Sequence, residues 1–122
     1  NIEGQTMAGM ANRYILPAAL EHQRRVAEAV NATTAAGSDC SEGKKLLAEL
    51  CDLTCEFRRR TQALQHALEH GGDGAPEAHA KHYRDKVVPA MAALRETGDR
   101  IETVTAHDVW PLPTYREMLF LK

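Results

Sequence analysis

The sequence predicts an all-α protein: an antiparallel bundle of three long helices, possibly four-helix-like, with a Trp/Pro tail and a short terminal helix. Three observations predict it. Hydrophobic residues make up 43% of the 122 residues but aromatics only 5%, and Ala, Glu, Leu and Arg dominate, which favours helix over sheet. Apolar residues recur at helical spacing in long runs. Glycines and prolines cluster between those runs instead of recurring at strand-length intervals.

The first helical run covers about 3–33. Asn31, Thr33, Thr34 and Gly37 close it. Its second half places Ile15, Ala19, Val26, Ala27 and Val30 on one side and Glu21, Arg24, Arg25 and Glu28 opposite. Its first half carries Met7, Met10, Tyr14 and Ala18 on nearly the other side, with Pro17 in between. Two readings are open. A kink at Pro17 brings both stripes onto one core, or the helix buries a second face against protein outside this sequence. The second run covers about 42–70, with Leu46, Leu50, Leu53, Phe57, Leu64 and Leu68 in one stripe. Gly71, Gly72, Asp73 and Gly74 stop it. The third run covers about 76–104 and opens on Pro76, which suits a first helical position. Its stripe is Ala80, Tyr83, Val87, Met91, Leu94 and Ile101, with a loosening expected at Gly98. The remainder holds Trp110, Pro111, Leu112 and Pro113, then a turn over 114–120 capped by Thr114 and Glu117. One-sided apolar helices need partners, and short connections make neighbours antiparallel. The whole reads as a single helical domain over 1–122.

Composition excludes several functions. The formal net charge is -2, and acidic residues interleave with basic ones throughout, which argues against nucleic-acid binding. No 18-residue apolar run exists, so no membrane span is expected. Cys40, Cys51 and Cys55 form no disulfide or zinc pattern and suit a reduced, cytoplasmic setting. The chain starts at Asn1 without an apolar leader, so it is expected to be a piece of a longer protein.

Candidate sites are few. His66, His70, His79 and His82 flank the glycine turn at spacings that could converge on a metal, yet all lie off the apolar stripes, and histidine suits a helix C-terminus. No metal site is expected; this group is the alternative. Arg58, Arg59 and Arg60 point in three directions around their helix and form no single patch. Cys55 lies opposite its helix's apolar stripe, which suggests a contact with another domain or subunit. Phosphate-loop and dinucleotide signatures are absent, and no catalytic or cofactor-binding residue is assigned. The interface candidates are Met7, Met10, Tyr14, Cys55, Trp110, Tyr115, Met118 and Phe120. In one reading the tail caps an end of the bundle; in the other it docks on a neighbour.

Four collinear stretches carry a family resemblance: residues 1–7 (Asn-Ile-Glu-Gly-Gln-Thr-Met), 13–20 (Arg-Tyr-Ile-Leu-Pro-Ala-Ala-Leu), 83–95 (beginning Tyr-Arg-Asp-Lys-Val-Val-Pro) and 110–120 (beginning Trp-Pro-Leu-Pro-Thr-Tyr). Together they resemble the C-terminal helical region of type III glutamine synthetases. The middle, about 33–79, is weakly specific. The resemblance implies a parent glutamate–ammonia ligase of nitrogen metabolism, using ATP with Mg or Mn and proceeding through γ-glutamyl phosphate. Its catalytic motifs would lie upstream of Asn1, so this chain alone is expected to be inactive. The implied role is architectural, against the catalytic region and neighbouring subunits of a homo-dodecamer. A free-standing helical interaction module is the alternative, and a small histidine-based metal bundle a more remote one.

Overall fold

The computed structural model describes residues 2–69 and 74–112. These form three helical rods and no β-sheet. The first rod is α1 (Ile2–Met10), a π-helical turn (Ala11–Ile15) and α2 (Leu16–Ala35). The second is α3 (Ser41–Glu69), uninterrupted over 29 residues. The third is α4 (Pro76–His82), a second π-helical turn (Tyr83–Val87) and α5 (Val88–Val104). His70, the glycine turn through Asp73, the terminal helix expected over 114–120, and Tyr115, Met118 and Phe120 lie outside the described residues.

Both π turns stand just ahead of a proline. The Leu16 N–H reaches back five residues to the Ala11 carbonyl, and Pro17 follows. The Val88 N–H does the same to Tyr83, and Pro89 follows. Proline offers no N–H and its ring crowds the preceding turn, so a wider turn accommodates it without ending the rod. The first π turn also settles the two-stripe question in part. From Gly4 to Val30 a regular helix makes about 7.2 turns, leaving them roughly 80° apart. With one residue taken up by the wider turn the count is about 6.9, and they differ by roughly 20°. Gly4, Ala8, Ala11, Ala18, Ala19 and Val30 are accordingly all buried. Met7 and Ile15 pack against the core from its edge, while Tyr14 stays 49% exposed.

Cross-rod contacts fix the topology. Gly4 meets Leu68, the Arg58 guanidinium donates to the Asn12 side-chain oxygen at 3.1 Å, and Gly43 meets Val30. The first two rods are therefore antiparallel. Gly98 lies beside Phe57, Arg60 donates to the Ala93 carbonyl at 2.8 Å, and a His82 ring nitrogen lies 2.7 Å from the Ala67 carbonyl oxygen. The third rod is thus antiparallel to the second and parallel to the first. The core between them holds Phe57, Leu64, Val87, Leu94 and Ile101, each at most 3% exposed. Full burial of such side chains is worth about 1.5–3 kcal/mol each.

Some sequence expectations are corrected here. Leu46 and Ala80 are expected in core stripes but are exposed, because each lies in the opening turns of its rod, ahead of that rod's first buried residue, Leu50 and Val87 respectively. No loosening occurs at Gly98. The helix runs through it, and a Cβ at this position would meet only the Phe57 ring, at an ordinary 3.5 Å. Thr54, Thr61 and Thr97 are buried although none belongs to an apolar stripe. The Thr61 hydroxyl donates to Phe57 O at 2.8 Å and that of Thr97 to Ala93 O at 3.2 Å. This return to the preceding turn lets threonine behave as an apolar residue inside a helix.

The connection after α2 is a Schellman turn. Gly37 adopts φ +87°, its N–H donates to Thr34 O at 3.0 Å, and the Ser38 N–H donates to Thr33 O at 3.2 Å. Asp39 then accepts the Ser41 N–H at 3.2 Å where α3 begins.

Candidate functional site

A groove of about 700 Å³ runs between the first and third rods. Phe57 and Ala11 form its floor. Met7, Met10 and Ile15 line one wall, and Met91, Leu94 and Gly98 the other. Three of the chain's four methionines thus meet in one groove. Methionine is unbranched and polarisable, and surfaces rich in it adapt to apolar partners. The rim is acidic on balance: Glu3, Asp99 and Glu102 against Arg95.

The segment after α5 brings Trp110 and Leu112 to the groove. It first crosses to the first rod, where the Ala106 N–H donates to His22 Nδ1 at 3.3 Å and the Arg25 guanidinium pairs with Asp108 at 2.9 Å. The Arg25 hydrogen bond holds the Asp108 carboxyl below its usual range. Val109 and Trp110 each place a backbone N–H on the Ala106 carbonyl, a helical turn that folds the chain back. Trp110 packs against the core, but its indole N–H is buried with no hydrogen-bond partner among the described residues.

The other sequence candidates fall elsewhere. Cys55 is exposed on α3, away from the groove, while Cys40 and Cys51 are half-buried; all three are free thiols. Tyr14 projects from the π turn. The arginine run divides as its spacing implies. Arg58 binds the first rod, Arg59 faces solvent, and Arg60 turns to the third rod. Arg60 also pairs with Glu56 at 2.6 Å and donates to Thr97 Oγ1 at 2.6 Å; Glu56 in turn meets Arg100 at 3.4 Å. Sequence reading missed this half-buried network, because a charged residue on an apolar helix edge resembles solvated surface until its partner rod is placed.

His66 and His79 are exposed and His82 is half-buried against Ala67. Among the described residues no group of three or more His, Cys, Asp or Glu side chains is placed to hold a metal ion. No described helix is long and apolar enough to cross a membrane.

Sequence reading placed Met7, Met10 and Trp110 at an interface without linking them to Met91. The available signal was the methionine count itself, since the distance between Met10 and Met91 in the chain hides their proximity in space.

These features define an all-helical bundle with a methionine-lined lateral groove. No protein-family model matches the chain. Among curated proteins it is similar to a glutamine synthetase of Bacteroides fragilis (strain YCH46), 26% identical over 129 aligned residues that cover 99% of this chain and 18% of the relative. It is similar also to the type-3 glutamine synthetase of Dictyostelium discoideum, 25% identical over 128 residues covering 99% and 17%. The chain is therefore a distant homologue of glutamine synthetases and spans under one fifth of these relatives' length.

Proposed function

We propose that the chain is the non-catalytic C-terminal structural and assembly module of an ATP-dependent glutamine synthetase. The parent reaction joins L-glutamate and ammonia at the expense of ATP, giving L-glutamine, ADP and phosphate. The observation that carries the reading is the coverage: nearly all of this chain aligns with a small part of each larger relative. Supporting it, the described residues form only helices, whose exposed apolar side chains, such as Tyr14 and Leu20, suit contact with further protein. ATP and Mg or Mn belong to the catalytic region in this reading. The module braces that region and neighbouring subunits, in a homo-dodecamer by resemblance. Tyr14, Cys55 and the groove and tail residues Met7, Met10, Trp110, Tyr115, Met118 and Phe120 are its proposed contact surfaces.

The test is expression of the complete reading frame that encodes Asn1–Lys122, beside the 122-residue chain alone. The complete product should form glutamine from glutamate, ammonia, ATP and Mg²⁺ and assemble as a large oligomer. The short chain should show no turnover. Turnover by the short chain, or a complete product without glutamine formation, would overturn the assignment.

A further inference from the structure

We propose that the groove between the first and third rods is the seat of a fourth helix, apolar on one face and net positive, which the parent polypeptide contributes ahead of Asn1; this rests on the synthetase assignment. Packing supplies the first reason. The first and third rods run parallel, each packs along α3, and they make few contacts with each other. Two rods standing diagonally across an antiparallel four-helix bundle have this relation. α3 fills one of the two places between them. The groove is the other, floored by Phe57 and Ala11 and walled by both rods. A helix lying there antiparallel to both completes an up-down-up-down bundle. The groove follows the first rod from Ile2 to Ile15, so its length is about 20 Å, or about 13 residues at the helical rise. Its walls present Met7, Met10 and Met91, whose flexible side chains adjust to an apolar helix face with anchors at i, i+3, i+4 and i+7.

Charge sets the second requirement. Glu3, Asp99 and Glu102 stand on the rim against Arg95 alone. None of the three carboxylates has an ion pair or hydrogen bond among the described residues. Those of Glu21, Glu28, Glu56, Glu96 and Asp108 are all paired with arginines. Asp99 and Glu102 lie three residues apart on one helix and repel each other. Lysine or arginine along the flanks of the docked helix relieves this repulsion and sets its register. Connectivity names the source. Nearly all of this chain aligns with under one fifth of each relative, so most of a synthetase polypeptide lies outside it. Ile2 lines the groove and is 82% exposed. A helix that precedes it and runs antiparallel to α1 needs only a short connection, and the tether raises its effective concentration into the millimolar range. Met7, Met10 and Trp110 keep the contact role proposed for them, with this helix as their partner.

The experiment is photo-crosslinking in the product of the complete reading frame, with p-benzoylphenylalanine placed at position Met10 or Met91 and the adducts read by mass spectrometry. Both positions should capture one segment that precedes Asn1 and carries more Lys and Arg than Asp and Glu, in adducts with the mass of a single subunit. Glu3→Lys/Asp99→Lys, both at exposed positions, should cut the yield about fivefold or more at low salt, with helix content unchanged. Adducts within residues 113–122, adducts of dimer mass, capture of a net-acidic segment, no adduct at all, or a yield indifferent to the charge reversal would each overturn the proposal. Glutamine formation by the same product separates the two failures. A product that makes glutamine but fails the crosslinking test sinks the fourth helix alone, whereas one that makes none sinks the synthetase assignment and this proposal with it.

Discussion

Two glycine-to-alanine changes should move stability in opposite directions, and the structure supplies both signs. Gly98 lies inside α5, buried and helical. A Cβ built there meets only Phe57 Cε1 at 3.5 Å, an ordinary van der Waals distance. Alanine at an interior helical position is favoured over glycine by about 0.8–1 kcal/mol, so Gly98→Ala should stabilise the fold by roughly that amount. Gly37 has open space around its Cβ position, but its φ is +87°. Alanine in a left-handed conformation costs about 1–2 kcal/mol, so Gly37→Ala should destabilise despite the absence of any clash. The gap between the variants is then about 2–3 kcal/mol, or very roughly 6–15 °C in Tm for a chain of this size. Urea unfolding followed by circular dichroism at 222 nm measures it, with the m-value required to stay constant. Gly98→Ala less stable than wild type would refute the reasoning, since the Phe57 ring would then sit too tightly on α5 to admit a methyl group.

Four other outcomes are expected. Phe57→Ala should cost about 3–5 kcal/mol in urea unfolding because the ring is only 1% exposed, whereas Leu46→Ala, 40% exposed, should cost well under half of that. Arg60→Ala should cost about 1.5–3 kcal/mol, because it strips charge-assisted hydrogen bonds from Thr97 and the Ala93 carbonyl. Since Arg25 lowers the folded-state pKa of Asp108, the stability this adds is present above the ordinary value of 3.8 and lost as pH falls through the lower folded value; Arg25→Gln should flatten that acid limb in a Tm-versus-pH series at low salt. His82→Ala should lower stability by about 0.5–1.5 kcal/mol through loss of its contact with Ala67. That loss should be the same with zinc or with a chelator, and a zinc-dependent difference in melting would revive the metal alternative.

The helices were legible in the sequence because their signals are local. Period and punctuation place three rods close to where they occur, down to the turn at Gly37 and the start at Pro76. The π turns were not legible as such. Pro17 and Pro89 announce a disturbance, but whether a helix answers proline by bending, ending or widening depends on what packs beside it. The site was legible only in pieces. Met7, Met10 and Trp110 stood out singly, and Met91 was absorbed into a core stripe although it lines the same groove.

By itself the sequence determined that this protein is helical, where its rods begin and end, and which of its faces avoid water. Those properties follow from backbone propensity and apolar spacing along a single strand of chain. Only the tertiary structure decided how the two apolar stripes of the first rod are shared. A wider turn rotates Gly4 and Ala8 into line with Val30 and leaves Tyr14 outside. Only the tertiary structure, too, turned one arginine of a uniform run into a bridge between rods and gathered distant methionines into a groove. The physical reason is that side-chain roles of this kind are set by neighbours far away in the chain, and the positions of those neighbours are fixed when the rods pack.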